Sequence, residues 1–180
     1  SLGSVYAIIA LGYTMVYGIA KMLNFAHGDI IMVGAYAVIS TVSLAQLPGV
    51  VGVAVSVVVC VFLGVTIEFL AYRPLRKAPS LAVLITAIGV SYLLQSLALL
   101  VFKSEPKAFP TIIEIPSLTF GGVVIDGMTL LTLAVTAVIM ISLSLFINKT
   151  KLGKAMRAVS EDKDAAELMG ISVNRTITMT

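Results

Sequence analysis

A short polar segment, Asn24–Asp29, interrupts the apolar N-terminal part of the chain. It reads N-F-A-H-G-D and contains the only histidine of the sequence. A glycine between a histidine and an aspartate can end a helix and expose backbone groups within a membrane, as transporters do along their pathways. The alternative is an ordinary short polar turn. One histidine and one aspartate two residues apart do not supply a metal-ligand set, so no metal site is expected here.

Glu68 is the only acidic residue within a long apolar stretch, five residues before Arg73. A carboxylate inside a membrane span often marks a pathway or a proton relay. Near the end of a span, the same side chain can instead reach outward to Arg73 or Tyr72. We favour this second interpretation, because the cost of burying a charge falls toward the membrane interface.

The segment Lys149–Ile171 is the one strongly polar stretch with helical patterning, and it predicts two short amphipathic helices. The first has an apolar stripe formed by Leu152, Met156 and Val159. Ser160, followed by acidic residues, predicts the N-cap of the second helix, and Gly170 predicts its C-terminal end. The second apolar stripe consists of Ala165, Leu168 and Met169.

Such helices can lie on a membrane surface or bind a protein partner. The second helix is acidic, and anionic lipid would repel it. We therefore favour a protein partner. Its acidic residues are Glu161, Asp162, Asp164 and Glu167.

The composition identifies an integral membrane protein. The chain has 180 residues, of which 59% are apolar and 12% charged, and its mean hydropathy is +1.08. Soluble domains are less apolar and more charged. The net charge of +3 comes from basic residues beside apolar spans, which does not fit a nucleic-acid-binding surface. The single Cys60 excludes an internal disulfide, and one histidine with no glycine–lysine phosphate loop leaves no catalytic set.

The apolar runs are long enough for membrane-spanning helices, which need about 20 residues each. We expect five spans, at Leu2–Ala20, Ile30–Gln46, Val50–Ala71, Leu81–Phe102 and Met128–Ile147. Small residues such as Gly3 and Gly18 in the first span and Gly34 in the second are expected to let helices approach closely.

Charge in the loops predicts the orientation. Two loops are rich in basic residues and should be cytoplasmic, one after the third span and one after the fifth. The segment 103–127 carries more acids than lysines and should face outward, with a small hairpin around Gly121 and Gly122. Parity then places residues 21–29 toward the cytoplasm.

Five segments together resemble the permease subunits of branched-chain amino acid ABC importers. They are Gly3–Ala7, Leu11–Gly18, Leu23–Asp29, Tyr72–Arg76 and Thr150–Ala158. The resemblance covers essentially the whole chain, 1–180, as a single transmembrane permease domain. Permeases of this family are longer, so we expect a fragment truncated at both ends, with a further segment after Thr180.

The resemblance implies an all-α polytopic membrane protein of a bacterial or archaeal cell membrane. Its expected partners are the lipid bilayer, a second permease, two cytoplasmic ATPase subunits that bind ATP and Mg²⁺, and an extracytoplasmic substrate-binding protein. This chain itself would hold no cofactor, catalyse no reaction and bind no nucleic acid. The resemblance also favours a broken helix that lines the translocation pathway, with the residues Asn24, His27, Gly28 and Asp29.

In importers of this kind a cytoplasmic helix of the permease docks on the ATPase. Asp164-Ala165-Ala166, followed three residues later by Gly170, is similar to the Glu-Ala-Ala-x-x-x-Gly core of that helix, with Asp in place of Glu. The segment 149–171 is therefore expected to hold the coupling helices. The residues expected to act in coupling are Gly153, Arg157, Glu161, Asp164, Glu167 and Gly170.

Alternative functions remain at this point. An importer of urea or short-chain amides would share the architecture, and the sequence of the pathway segment does not select the substrate. A passive channel or a membrane scaffold belongs to a different class, and neither needs the cytoplasmic double helix. An intramembrane enzyme fits least, because two catalytic groups at one depth are absent from the sequence.

Overall fold

The computed structural model describes residues 2–22, 24–76, 78–110, 116, 118–120 and 123–180. Long helices dominate these residues. They are α1 (Leu2–Ala20), α2 (His27–Ile39), α3 (Gly49–Ile67), α4 (Ser80–Phe102) and α5 (Gly127–Lys149). A π-helical turn extends α2 over Ser40–Leu44, and another extends α3 over Glu68–Tyr72. With these extensions, all five helices are long and apolar enough to cross a membrane.

The five predicted spans are confirmed, and no boundary is wrong by more than three residues. The first span has the predicted bounds, Leu2–Ala20. Pro48 and Pro79 immediately precede α3 and α4 with extended backbones, at ψ 144° and 146°. Proline fixes its own φ and is tolerated at a helix start. These two boundaries could therefore be predicted from the sequence.

Three short helices and two short strands complete the described structure. The helices are α6 (Lys151–Glu161), α7 (Lys163–Leu168) and α8 (Val173–Thr178). Strands β1 (Leu118–Phe120) and β2 (Val123–Ile125) pair antiparallel, with Leu118 opposite Ile125. The two strands of the predicted hairpin are thus confirmed, and its turn, Gly121 and Gly122, lies outside the described residues.

The chain forms two compact units. One consists of Ser1–Lys21 and Glu114–Thr180, and contains α1 and α5–α8. The other is Met22–Ile113 and contains α2–α4. The core of this second unit is formed by Ala26, Ile67, Tyr72, Val83, Ala87 and Leu94.

Helices α2 and α3 pack closely through Gly34. Ser56 Oγ donates a hydrogen bond to Gly34 O at 2.9 Å. A Cβ atom at Gly34 would lie 2.8 Å from Cys60 Sγ, which is too close. The predicted role of Gly34 in close helix packing is confirmed. At Gly3 and Gly18 a Cβ atom would meet nothing within 4 Å among the described residues, so no close contact is described there.

Candidate pathway and coupling segments

The turn before α2 is held by the side chain of Asn24. Asn24 Oδ1 accepts hydrogen bonds from Ala26 N at 3.1 Å and from Tyr72 OH at 2.8 Å. The first bond is a local side-chain-to-backbone turn of the kind asparagine favours. The second ties the turn to the end of the α3 extension. Ala26 is fully buried in the core of the second unit, whereas Phe25 and Gly28 of the same turn are exposed.

The first turn of α2 lies level with the middle of its two neighbours. Cys60 Sγ donates to Ile30 O at 3.5 Å, and Ser91 Oγ donates to Asp29 Oδ2. Ser91 lies eleven residues, or about 16 Å, from either end of α4. Cys60 has eleven residues before it and twelve after it in the helix formed by α3 and its π turn. Helix α2 therefore begins near the mid-length of α3 and α4 rather than at their ends.

Asp29 is the centre of a polar cluster at this depth. Its side chain is buried, at 8% exposure, and it accepts hydrogen bonds from Ser91 Oγ and, at 3.0 Å, from Gln95 Nε2. His27 and Gly28 occupy the first two positions of α2. Of the four residues predicted for the pathway, Asn24 and Asp29 thus have distinct polar partners on α3 and α4.

Sequence reasoning missed Ser91 and Gln95. A signal was present, because these two polar residues lie at i and i+4 within a span that has no charged residue. Polar side chains at that spacing share one helix face. In a membrane span, such a polar face indicates a partner or a pathway.

Glu68 pairs with Arg76, so the prediction of Arg73 as its ionic partner is wrong. The chain turns sharply after the π turn, with Leu75 N donating to Tyr72 O at 3.1 Å. This turn carries Arg76 back to Glu68. The guanidinium of Arg73 lies instead over the ring of Phe69, 5.1 Å from its centre. The charge of Glu68 is balanced by an ion pair rather than left available to a pathway.

In the first unit, Gly153 forms the close contact between α5 and α6. A Cβ atom at this position would lie 2.3 Å from Ile147 O and 2.4 Å from Ile147 Cα, so only glycine fits. Thr150 caps α6, because its Oγ1 accepts from Gly153 N at 3.0 Å. The predicted apolar stripe is confirmed, with Met156 and Val159 almost fully buried.

Helix α7 begins at a different residue from the one predicted. Ser160 lies inside α6, where its hydroxyl donates to Arg157 O at 2.7 Å. The N-cap is Asp162, whose Oδ1 accepts from Asp164 N and Ala165 N at 2.9 and 3.0 Å. Both residue types cap helices well, and the acceptor that lies one residue before α7 takes the role.

The predicted C-terminal end of α7 at Gly170 is confirmed. Gly170 has a φ of +82°, which glycine adopts without strain. Gly170 N donates to Glu167 O at 2.9 Å, and Ile171 N donates to Ala166 O at 3.0 Å. This pair of bonds is the Schellman motif, which fixes the end of the helix. Both ends of α7 are thus defined by specific hydrogen bonds.

Two large apolar side chains at the C-terminal end of α7 point outward. Leu168 and Met169 are 90% and 82% exposed, and Ala166 is the buried residue of this helix. The predicted stripe therefore does not pack on its own unit. The acidic Asp164 and Glu167 are exposed beside it. The result is a small exposed surface, the α7 tip, with an apolar centre and acidic flanks.

Lys163 connects α7 to α1. Its ammonium donates to Ala20 O, the last residue of α1, at 2.9 Å. Carbonyl groups at a helix C-terminus have no partner within the helix and favour a cation.

The remaining predicted coupling residues lie on α6. Arg157 donates to Asn148 Oδ1 at 3.2 Å, and Glu161 is exposed at the helix end. Within the part of the chain that the structure describes, no three His, Cys, Asp or Glu side chains form a metal-binding group.

Comparison with known proteins defines the class. The family of branched-chain amino acid transport system permease components matches residues 1–180, so the chain belongs to that family. With its five apolar helices, it is a multi-pass transmembrane protein. No solved structure matches the chain.

Curated relatives are transport permeases. The chain is 42% identical over 193 residues to the high-affinity branched-chain amino acid transport system permease protein BraD of Pseudomonas aeruginosa. It is 36% identical over 199 residues to LivH of Escherichia coli K12, which carries the same description. All of this chain is aligned in both cases, and it spans 62% of the length of each relative. The probable branched-chain amino acid transport permease LivH of Methanocaldococcus jannaschii is 28% identical over 94% of the chain, which spans 55% of that protein.

Proposed function

We propose that this chain belongs to the membrane subunit of an ATP-driven importer of leucine, isoleucine and valine. It would line part of the translocation pathway and dock on a separate ATPase that binds ATP and Mg²⁺. A second permease and an extracytoplasmic binding protein complete the proposed complex. The family assignment and the names of the relatives support this proposal.

The α7 tip is the observation that carries the coupling role. A six-residue helix is too short to be stable on its own, yet α7 is fixed by an N-cap, a Schellman motif and the bond from Lys163 to α1. Its Leu168 and Met169 have no packing role within this unit and are almost fully exposed. A rigid apolar projection with acidic flanks suits insertion into a groove with basic rims.

The proposed mechanism is mechanical. ATP binding closes the ATPase pair, and the groove that holds the α7 tip moves with it. The Lys163–Ala20 bond transfers that displacement to the end of α1, and the close Gly153 contact transfers it to α5. ATP and delivered substrate would both bias one equilibrium between outward-open and inward-open states.

Co-purification tests the docking. The full-length permease is co-expressed with the ATPase encoded beside it, extracted in detergent and captured through a tag on the permease. We expect the ATPase to be retained, and to be lost with Leu168→Asp or Asp164→Lys. Glu105→Lys is the matched control, because it reverses one exposed charge in the loop after α4 and should retain the ATPase.

Uptake separates the remaining alternatives. Purified complex in proteoliposomes should take up radiolabelled isoleucine only with ATP and binding protein. Uptake of urea in its place would identify the related importer, and nucleotide-independent flux would identify a channel. An ATPase that stays bound to Leu168→Asp would contradict the role of the α7 tip.

A further inference from the structure

The polar cluster of Asp29, Ser91 and Gln95 contains a buried carboxylate with only neutral partners. Glu68 forms its ion pair with Arg76, and among the described residues no basic side chain forms an ion pair with Asp29. A carboxylate in the middle of a helix bundle is costly and usually serves a ligand or a charge pathway. Two neutral hydrogen bonds orient this carboxylate without neutralising it.

The donors of this cluster can release the carboxylate to a ligand. Gln95 Nε2 lies 3.0 Å from Asp29 Oδ1 and also 3.2 Å from Ser91 Oγ. The glutamine and serine can therefore hydrogen-bond to each other when Asp29 accepts from something else. A replacement of this kind leaves none of the three side chains without a partner, so the exchange costs little free energy.

The cluster is accessible from one side. Asp29 is buried, Ser91 is half-buried and Gln95 is exposed. Asp29, Met32 and Tyr36 lie at i, i+3 and i+7 on one face of α2, and Gln95 and Leu99 lie at i and i+4 on one face of α4.

The same two faces continue into a cavity. Met32, Tyr36 and Leu99 line this cavity of about 500 Å³ between α2 and the end of α4. Its other apolar lining residues include Ala35 and Ile39. The charged residues at its rim are Lys103, Glu105 and Lys107. This cavity thus lies between the loop after α4 and the level of the cluster, on the helix faces that carry Asp29 and Gln95.

We propose that Asp29, Ser91 and Gln95 form a binding subsite for the α-ammonium group of an amino acid within the translocation pathway. The proposal rests on the importer function above and makes it more specific. The ammonium group would donate to the carboxylate of Asp29, while the apolar side chain of the amino acid lies along Met32 and Leu99. Urea can donate neutral N–H hydrogen bonds to this carboxylate but has no positive charge to balance it, so the subsite favours amino acids over amides.

A thiol-labelling experiment tests the electrostatics directly. Gln95→Cys is introduced into the full-length permease, with Cys60 and any other native cysteine replaced by alanine, and the protein is assembled with its ATPase. Labelling rates are measured with cationic aminoethyl and anionic sulfonatoethyl methanethiosulfonate, each relative to its rate with free 2-mercaptoethanol. We expect the cationic reagent to react about tenfold faster, because a carboxylate a few ångströms away attracts one reagent and repels the other.

The charge of Asp29 should account for that preference. In the Asp29→Asn background the ratio of the two rates should fall to near one. Asp126→Asn removes an acid at the start of α5 instead and should leave the ratio unchanged. The same ratio with and without Asp29, or no labelling by either reagent, would overturn the subsite.

Uptake provides the second measurement. Asp29→Asn should lower ATP-driven isoleucine uptake about tenfold or more in proteoliposomes, with the ATPase still bound to the purified complex. Asp29→Asn combined with Gln95→Glu moves the carboxylate to the opposite side of the same hydrogen bond and should restore most of the uptake. If wild-type complex imports isoleucine and Asp29→Asn matches it, the subsite is wrong and the importer function stands. If wild-type complex imports no branched-chain amino acid, the importer function itself fails.

Discussion

Replacing Gly153 with alanine should release α6 from the end of α5. The added Cβ atom would lie 2.3 Å from Ile147 O. This distance is about 1 Å shorter than the van der Waals contact distance between a carbon and an oxygen atom. The obstacle is backbone in the middle of a contact rather than the end of a flexible side chain. A rotamer change therefore cannot relieve the clash, and the two helices must separate.

The cost follows from what the separation exposes. Met156 and Val159 are 0% and 1% exposed, and both lie on the α6 face that packs on its unit. Full exposure of such a side chain costs about 1.5–3 kcal/mol. Overpacking without separation costs a comparable amount, about 1–3 kcal/mol. We therefore expect Gly153→Ala to destabilise the docked state of α6 by about 3 kcal/mol, which corresponds to roughly a hundredfold change in its opening equilibrium.

Limited trypsin digestion of the purified full-length protein measures that opening. Lys154 and Arg157 are cleavable only when α6 unfolds locally, so the cleavage rate reports the open population. We expect the rate to rise about a hundredfold in Gly153→Ala. Gly64→Ala and Gly89→Ala are matched controls, because a Cβ atom at either glycine meets nothing within 4 Å. Both controls should keep the wild-type rate.

A Gly153→Ala protein with the wild-type cleavage rate would refute this account of the α5–α6 contact. Uniformly faster cleavage in all three variants would also count against it, since alanine is the better helix residue at both control positions. The specific expectation is faster cleavage at α6 in Gly153→Ala alone.

Two further predictions concern the corrected assignments. Asp162→Ala should destabilise α7 by about 1 kcal/mol and speed amide hydrogen exchange at the start of that helix, whereas Ser160→Ala should leave it unchanged. Equal exchange in the two variants would show that Asp162 is not the cap. Glu68→Gln should lower stability in detergent by about 3 kcal/mol, because Arg76 loses its carboxylate, and adding Arg76→Gln should recover most of that loss. Thermal unfolding of the single and double variants measures the loss of stability and its recovery. A double variant less stable than the single one would contradict the pairing.

The long helices could be predicted from sequence because their signals are local. Charge-free runs of about 20 residues, together with Pro48 and Pro79 before two of them, determine the spans nearly to the residue. The end of α7 at Gly170 could likewise be predicted, since a glycine there adopts the left-handed backbone of a Schellman motif.

The candidate sites could be predicted only in part, because their contacts are long-range. Asp29 meets Ser91 and Gln95 across more than 60 residues, and Lys163 meets Ala20 across 143. No local pattern contains such pairings. The partner of Glu68 was missed for a different reason: spacing favoured Arg73, but the turn after the π-helical segment brings Arg76 to the carboxylate. The N-cap of α7 had two suitable candidates within three residues, and only the backbone distinguishes them.

The depth of the Asn24–Asp29 turn has a consequence for biogenesis. The side chains of Asn24 and Asp29 have their partners at the end of the α3 extension and in the middle of α4. While the ribosome is still synthesising those helices, the polar groups of the turn have nothing to bond to in lipid. We therefore expect the side chain of Asp29 to gain its hydrogen-bond partners only after α4, with Ser91 and Gln95, has been synthesised. The hydrogen bonds of this turn thus belong to the assembled α2–α4 unit and not to any of its helices alone.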